Sequence, residues 1–346
     1  MLKTGWQSPS NIALVKYWGK HGRQLPNNPS VSFTLNTAAT RTFIAWENYN
    51  KFGRVELSFT LEGNENPAFA ARIEKFLDSL VDDYFPFLKE VTLQIDSSNS
   101  FPHSSGIASS ASGMSALALC LCEIEQMISG EASVQTDFIT KASIISRLGS
   151  GSACRSIYPE MALWGHHPDI AHSSDEYAIG IGSEIHPVFK TFHDDILIVS
   201  AKEKSVSSTA GHNLMVGNPY AEARYKQANE RIITLLAALK DGDLQTFGKI
   251  TEDEALTLHA LMMCSDPSYM LMEEGSLAII KKVKAFRADT NIPLYFTLDA
   301  GPNVHLLYPH ENELDVRSFI TTELKPLCHE GKIIYDHVGQ GAQKIM

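Results

Sequence analysis

The sequence is short of several things, and each shortage removes a class of protein. Its five cysteines, Cys120, Cys122, Cys154, Cys264 and Cys328, are odd in number and contain no CxxC. That argues against a disulfide framework or a zinc ribbon, and buried, reduced thiols are expected. Positive charge is scarce: 29 Lys and Arg against 40 Asp and Glu give a formal net charge of -11. Nonspecific binding to nucleic acid or to an anionic membrane surface is therefore not expected, and an anionic ligand needs a local basic pocket. The opening residues MLKTGWQSPSN lack the apolar core of a signal peptide, and no apolar run is expected to cross a bilayer, so a cytoplasmic location is expected. GxxxxGK[ST], GxGxxG between a strand and a helix, and GxSxG are all missing. P-loop, dinucleotide-binding and hydrolase readings lose their main support with them.

What is present is an ordinary globular composition, 44% hydrophobic and 20% charged over 346 residues, long enough for two medium domains. Strands are expected at Ser30 to Leu35, Arg41 to Trp46 and Arg54 to Leu61, forming a short meander. A helical period follows Pro67, with Phe69, Ile73, Phe76, Leu77 and Leu80 on one face and Arg72 off it. Next come a strand at Val91 to Ser98, a Gly/Ser loop from Asn99 to Gly113, an apolar helix from Met114, and a helix at about Gln135 to Arg147. The pattern turns loop-like around Ile179 to Asp195, before a strand ILIVSA beginning at Ile196, which divides the chain into domains 1–188 and 189–346. Helices are then expected at Pro219 to Lys240, Leu244 to Met263 and Tyr269 to Asp289, followed by two strands joined around DAGPN. Helices and antiparallel strands in blocks indicate an α+β protein, not a doubly wound parallel sheet.

Four segments carry chemistry. FPHSSGIASSASG lies between a strand and a helix N-terminus, where unpaired amides attract phosphate and small side chains let it approach, although a serine-rich cap has the same composition. GSGSACRS offers Ser150 and Ser152 as small donors and Arg155 as a planar fork for carboxylate or phosphate; a serine-rich surface turn is the alternative. In NIALVKYWGK, Lys16 and Lys20 fall on one side of a strand period with Tyr17 between them, or form a solvated edge. In LDAGPN, Asp299 is either a general base or an Asx-turn former. His166, His167 and His172 lie in a proline-containing loop and are read as solvated, not metal-bound.

Together these segments resemble the GHMP kinase superfamily and, within it, the diphosphomevalonate decarboxylases: ALVKYWGK, FPHSSGIASSASG, GSGSACRS, VSSTAGH and LDAGPN occur in that family's order. The similarity runs from Asn11 to HVGQGAQKI near the end. It implies a GHMP kinase fold of two α/β sandwich-like domains with the active site in the cleft between them. It also implies ATP-dependent decarboxylation of mevalonate 5-diphosphate to isopentenyl diphosphate, with ATP and Mg²⁺, in a homodimer. By the same resemblance Asp299 takes or orients the proton of the 3-hydroxyl, Arg155 holds Asp299 and the substrate carboxylate, and Lys16 lies near the reacting centre. Tyr17, Lys20, Arg72, Ser150, Ser152 and Ser208 bind the substrate, and Ser105, Gly106, Ser109 and Ser110 form the ATP phosphate loop. No metal ligand is assigned. A phosphomevalonate decarboxylase, a 3-kinase that stops after phosphorylation and a non-catalytic homologue are the alternatives. Two departures from the family pattern stand out: His103 after Pro102, and IYPEM, Ile157 to Met161, where a Gly-Gly pair is usual.

Overall fold

The structure, a computed structural model, describes residues 1–50, 52–101, 109–130, 135–202 and 206–346. The chain opens with strands β1 (Leu2–Val15), β2 (Lys20–His21), β3 (Leu25–Pro26), β4 (Ser30–Glu47), β5 (Glu56–Leu61) and β6 (Asn64–Glu65). Then follow α1 (Pro67–Asp78), β7 (Thr92–Asn99), α2 (Ser109–Ser129), α3 (Gln135–Gly149), β8 (Met161–Trp164) and β9 (Ala178–Gly180). The remainder is α4 (Pro187–Lys190), β10 (Phe192–Leu197), α5 (Ser208–Asn213), α6 (Ala221–Asp241), α7 (Leu244–Met263) and α8 (Glu274–Thr290), with β11 (Tyr295–Thr297), β12 (Val304–Pro309), α9 (Glu313–Phe319), β13 (Ile333–Ile334) and β14 (Gln343–Lys344).

The first sheet runs β14-β1-β4-β7-β5-β6, with β8 on β4 and β9 on β8; the second runs β11-β12-β10-β13. This is the α+β architecture that the blocks of strands and helices predict. The last strand returns to the first sheet, where Trp6 pairs with Lys344. One apolar cluster, including Leu14, Phe33, Phe192, Leu235 and Phe247, contains residues of both sheets and of the helices α6 and α7. Phe247 packs its ring 4.9 Å from Phe189 and 5.2 Å from Phe192. Each such side chain contributes roughly 1.5–3 kcal/mol by leaving water.

Local chemistry explains the elements beside the cleft. α1 starts where the Asn66 side chain accepts the Phe69 N–H and Pro67 takes the first turn, in which its missing donor costs nothing. α2 presents Ser112 and Ser115 to the sheet, where they meet Thr40 and Ser8 at 2.6 Å. Small side chains let the helix lie close. At 21 residues α2 is long and apolar enough to span a membrane, contrary to the expectation from the sequence, but 67% of its apolar window is buried in the protein. It packs against β1, β4 and α3 as a core helix.

Several expectations are corrected. The two strands read at 30–35 and 41–46 are one, β4, because the buried Asp336 carboxylate accepts the N–H groups of Asn36, Thr37 and Ala38. The meander is broken: β7 sits between β4 and β5 and pairs parallel with β5, the intervening chain crossing over through α1. β10 begins four residues before Ile196, since His193, Asp194 and Asp195 are buried with partners in His310, His305 and Tyr308. α2 begins before Met114, and α8 begins after Tyr269. Of the cysteines, Cys264 is exposed and the other four are buried.

Candidate active site

A cleft of about 990 Å³ lies between the first sheet with its helices and the segments around α5 and Asp299. Lys16, Tyr17, Lys20, Arg72, Ser109, Ser110, Ser150, Ser152, Arg155, Ser208 and Asp299 all line it. Ser105, Gly106, Pro102 and His103 lie outside the described residues. The other departure, Ile157 to Met161, does not line the cleft: Ala342 donates to the Ile157 carbonyl and Glu160 to that of Gly339, so the segment is occupied with the C-terminal return.

The floor of the cleft is charged and dry. β1 ends at Val15, and the next side chain, Lys16, is 1% exposed. Its ammonium donates to Asp299 Oδ1 at 2.9 Å and to the Ala13 carbonyl at 2.6 Å. Burial pulls the Lys16 pKa below its ordinary 10.5, against the attraction of Asp299 and Glu254. Asp299 follows β11 at a turn that places its side chain, 30% exposed, in the cleft, while its carbonyl contacts His259 Nε2 at 3.1 Å. The strand period for Lys16 and Lys20 fails, since Lys20 belongs to β2 after a turn; both nevertheless reach the same cleft.

Arg155 sits in a 3₁₀ turn, Gly151–Ile157, and is 2% exposed. Its guanidinium donates to Ser32 at 2.9 Å, Ser30 at 2.6 Å and Asn11 at 3.3 Å. Here the expectation that Arg155 holds Asp299 needs adjusting. Lys16 makes the direct contact described above, whereas Arg155 acts on Asp299 through its charge. Three neutral partners leave the guanidinium's positive charge to be met by a ligand.

Tyr17 lies over the same turn. Its hydroxyl is buried without a hydrogen-bond partner among the described residues, and burial raises its pKa, so it remains a donor. An orphaned donor in a cleft wall marks a place where ligand oxygen can sit. Gly151 permits this packing, for a Cβ there would lie 2.8 Å from the Tyr17 hydroxyl. Gly19, with φ +94°, turns the chain beyond Trp18, and its N–H donates to Nδ1 of a His212 whose pKa burial pushes down to about 3.

The rim is wetter. Ser109 and Ser110 open α2, and Ser110 Oγ lies 3.3 Å from Ser150 Oγ, which joins the two serine motifs. Lys20 reaches Gln24 at 2.8 Å, and Arg72 is an exposed residue on α1. Apolar side chains form a further wall: Phe59, Phe69, Ile73, Phe76, Ile95 and Leu117.

Sequence reasoning missed the layer behind the floor. Glu254 of α7 is fully buried between Arg224 and Arg231, and it accepts the backbone N–H of Lys16 at 2.9 Å. His212, Asn11, Ser30 and Ser32 were missed as well. A signal existed for the ion pair, because Arg224 and Glu254 fall on the apolar stripes of their helices.

Asp299 is the one carboxylate among the described lining residues. A divalent cation with a preference for oxygen therefore fits as a companion to ligand phosphates, not in a protein cage. Among the described residues, a group able to hold a metal by itself is His193, His310 and Glu313, outside the cleft lining, with Glu313 paired to Arg317.

The arrangement matches known proteins over its whole length. Residues 8–178 match the diphosphomevalonate decarboxylase-like N-terminal domain, and residues 195–342 match the mevalonate 5-diphosphate decarboxylase C-terminal domain. The diphosphomevalonate decarboxylase of Candida albicans is 30% identical, covering 99% of this chain and 98% of that protein. The mevalonate diphosphate decarboxylase of Staphylococcus aureus superposes with a TM-score of 0.84 at 27% identity, covering 99% of this chain and 98% of that one. MDDEF, solved in complex with MVAPP, AMPPCP and magnesium, does so with a TM-score of 0.82 at 27% identity, covering 99% of each chain. A cleft with a buried lysine held to an aspartate on its floor, a buried guanidinium beside them and a serine-lined helix start is thus found in a chain that belongs, across both halves, to the diphosphomevalonate decarboxylase family.

Proposed function

We propose that the protein catalyses ATP-dependent decarboxylation of mevalonate 5-diphosphate, yielding isopentenyl diphosphate, ADP, phosphate and carbon dioxide. The contact between the buried Lys16 ammonium and Asp299 in the cleft carries this reading. A tertiary hydroxyl is a poor leaving group, and transfer of the ATP γ-phosphoryl group turns it into a good one. The ammonium keeps Asp299 ionised, so its carboxylate meets the 3-hydroxyl as an acceptor that orients it and takes its proton. Loss of the new phosphate leaves a carbon with cationic character. The electron pair of the bond to the carboxylate then forms the double bond, and carbon dioxide departs. Arg155 faces the substrate carboxylate, and the Tyr17 hydroxyl donates to a ligand oxygen.

The α2 start, with Ser109 and Ser110, supports the ATP phosphates, and the apolar wall suits the flat adenine. Mg²⁺, when bound, screens the phosphate charge; the Ser109 and Ser110 hydroxyls are the oxygen donors suited to hold it with the phosphates. Lys20 and Arg72 supply local positive charge for the substrate diphosphate on a chain of net charge -11. A homodimer is part of this reading, supported by a shallow apolar groove of about 300 Å³ along Tyr220, Ala223, Leu261 and Cys264; light scattering at several concentrations tests it. Activity is tested by following ADP and carbon dioxide with mevalonate 5-diphosphate and its monophosphate. Equimolar products with a preference for the diphosphate are expected. ADP without carbon dioxide would instead identify a kinase that stops after phosphorylation.

A further inference from the structure

We infer that Glu254 and Arg224, on different helices, are positioning residues for the reaction, acting by holding the backbone of Lys16 from both of its peptide groups. The inference rests on the reading of Lys16 as a group beside the reacting hydroxyl.

The ladder between β1 and β4 ends at the pair Val15 and Val31. Lys16 thus leaves the sheet with a buried N–H and a buried C=O that need other partners. The N–H donates to Glu254 Oε2 at 2.9 Å, and the C=O accepts from Arg224 Nη2 at 3.0 Å. The same two atoms, Oε2 and Nη2, meet each other at 2.6 Å. A closed ring results, running from the Lys16 N–H through carboxylate and guanidinium to the Lys16 carbonyl. Asn28 adds a second donor to that carbonyl at 3.0 Å. The partners stand 208 and 238 residues away along the chain, so the ring forms only when α6 and α7 have docked on the first sheet.

Stability alone gives little reason for these charges. A buried ion pair often contributes no more than apolar side chains of similar volume, and both residues replace such side chains on helix stripes. What apolar groups cannot do is satisfy the two peptide groups of Lys16, and with them fix the direction in which its side chain leaves the strand end. The ammonium must reach Asp299 Oδ1 at 2.9 Å, and a shift of about 1 Å at such a centre commonly costs about 100-fold in rate.

Glu254 also bears on the charge of Lys16. The charged groups acting on that ammonium are Asp299 after β11, Glu254 on α7, Arg155 in its 3₁₀ turn and, more remotely, Asp194 on β10, while Arg224 on α6 meets the backbone carbonyl of the same residue. Asp299 and Glu254 favour the protonated form, whereas burial and Arg155 oppose it. Neutralising Glu254 therefore makes the ammonium more acidic. A merely structural residue would leave that acidity alone.

The test compares Glu254→Gln, Arg224→Gln, Arg231→Gln and Lys16→Met for kcat, both KM values and the pH dependence of kcat, in full-length protein whose folding is checked by thermal melts. Arg231 binds Glu254 Oε1 at 2.7 Å and is the control for simple loss of the ion pair. Glu254→Gln and Arg224→Gln are expected to lower kcat at least about 10-fold with KM values within about 3-fold, while Arg231→Gln retains its kcat. Glu254→Gln also moves the alkaline limb to lower pH. If Glu254→Gln does not fold, Arg224→Lys tests the same point, since it keeps the charge but cannot bridge carboxylate and carbonyl together; its kcat should fall likewise. Wild-type kcat and an unmoved alkaline limb in the Glu254 and Arg224 variants, with Lys16→Met inactive, would overturn the inference. An active Lys16→Met would overturn the reading of Lys16 itself.

Discussion

The floor and the rim of the cleft use similar residue types under opposite conditions. On the floor Lys16, Arg155, Arg224 and Glu254 are all at most 3% exposed, so each charge depends on named partners within hydrogen-bond reach. On the rim Arg72 and Ser110 face water, which replaces a lost contact cheaply. Charge is therefore worth much more on the floor than on the rim, because desolvation removes the alternative partner. Chemistry belongs where charges cannot be replaced, and binding where they can.

That contrast is broken most severely at the floor. Asp299→Asn and Lys16→Met should each lower kcat by about 100-fold to 10,000-fold, the range of a positioned acid-base group, with smaller changes in KM. Stopped assays of carbon dioxide release check this, and a near-normal kcat in a folded variant would remove the residue from the reaction. Arg155→Lys should follow, with a loss of at least about 100-fold, because an ammonium cannot serve the directions of Ser30, Ser32 and Asn11 and still face a carboxylate. Restoration of activity by added guanidinium would sharpen that assignment.

The pH profile probes the floor without a mutation. Burial lowers the Lys16 pKa, so the ammonium loses its proton at lower pH than an exposed lysine would. The active, protonated form is present below that pKa and is lost as pH rises through it. An alkaline fall in kcat should therefore begin below pH 10.5, the ordinary lysine value.

Effects at the rim should be smaller. Arg72→Ala should raise KM for the diphosphate by about 10-fold to 150-fold, as expected for a charge-assisted contact of about 1.5–3 kcal/mol, and should raise it less for the monophosphate. Equal losses for both would place Arg72 away from the terminal phosphate. Ser110→Ala should change ATP affinity by less than about 10-fold, since Ser150 stands 3.3 Å away and water can enter. Calorimetric titration with a non-hydrolysable ATP analogue reads that difference.

The same contrast governs how much was legible in the sequence. Rim motifs are local: serines and glycines between a strand and a helix make the pattern expected of an anion site within a dozen residues, and the α+β blocks follow from periodicity. Floor chemistry is assembled over distance. The family resemblance alone pairs Arg155 with Asp299, and only the three-dimensional path of β1 brings Lys16 onto the carboxylate. Glu254 was readable as a charge on the stripe of Phe247, Ile250, Thr251, Ala255 and Leu258, although nothing nearby named Lys16 as its target. Local pattern divides β4 into two strands because the β-branched and aromatic residues cluster on either side of residues 36–40, and the Asp336 carboxylate that accepts the N–H of Asn36 lies some 300 residues later.

The most direct measurement is the joint stoichiometry of ADP, phosphate and carbon dioxide formed from mevalonate 5-diphosphate by the wild type and by Asp299→Asn, alongside substrate binding by both. The wild type should form the three products in equal amounts, and Asp299→Asn should bind the diphosphate within a few-fold of wild type while forming almost none of them. Carbon dioxide released without ADP, or unimpaired turnover by Asp299→Asn, would contradict a floor built for ATP-driven decarboxylation.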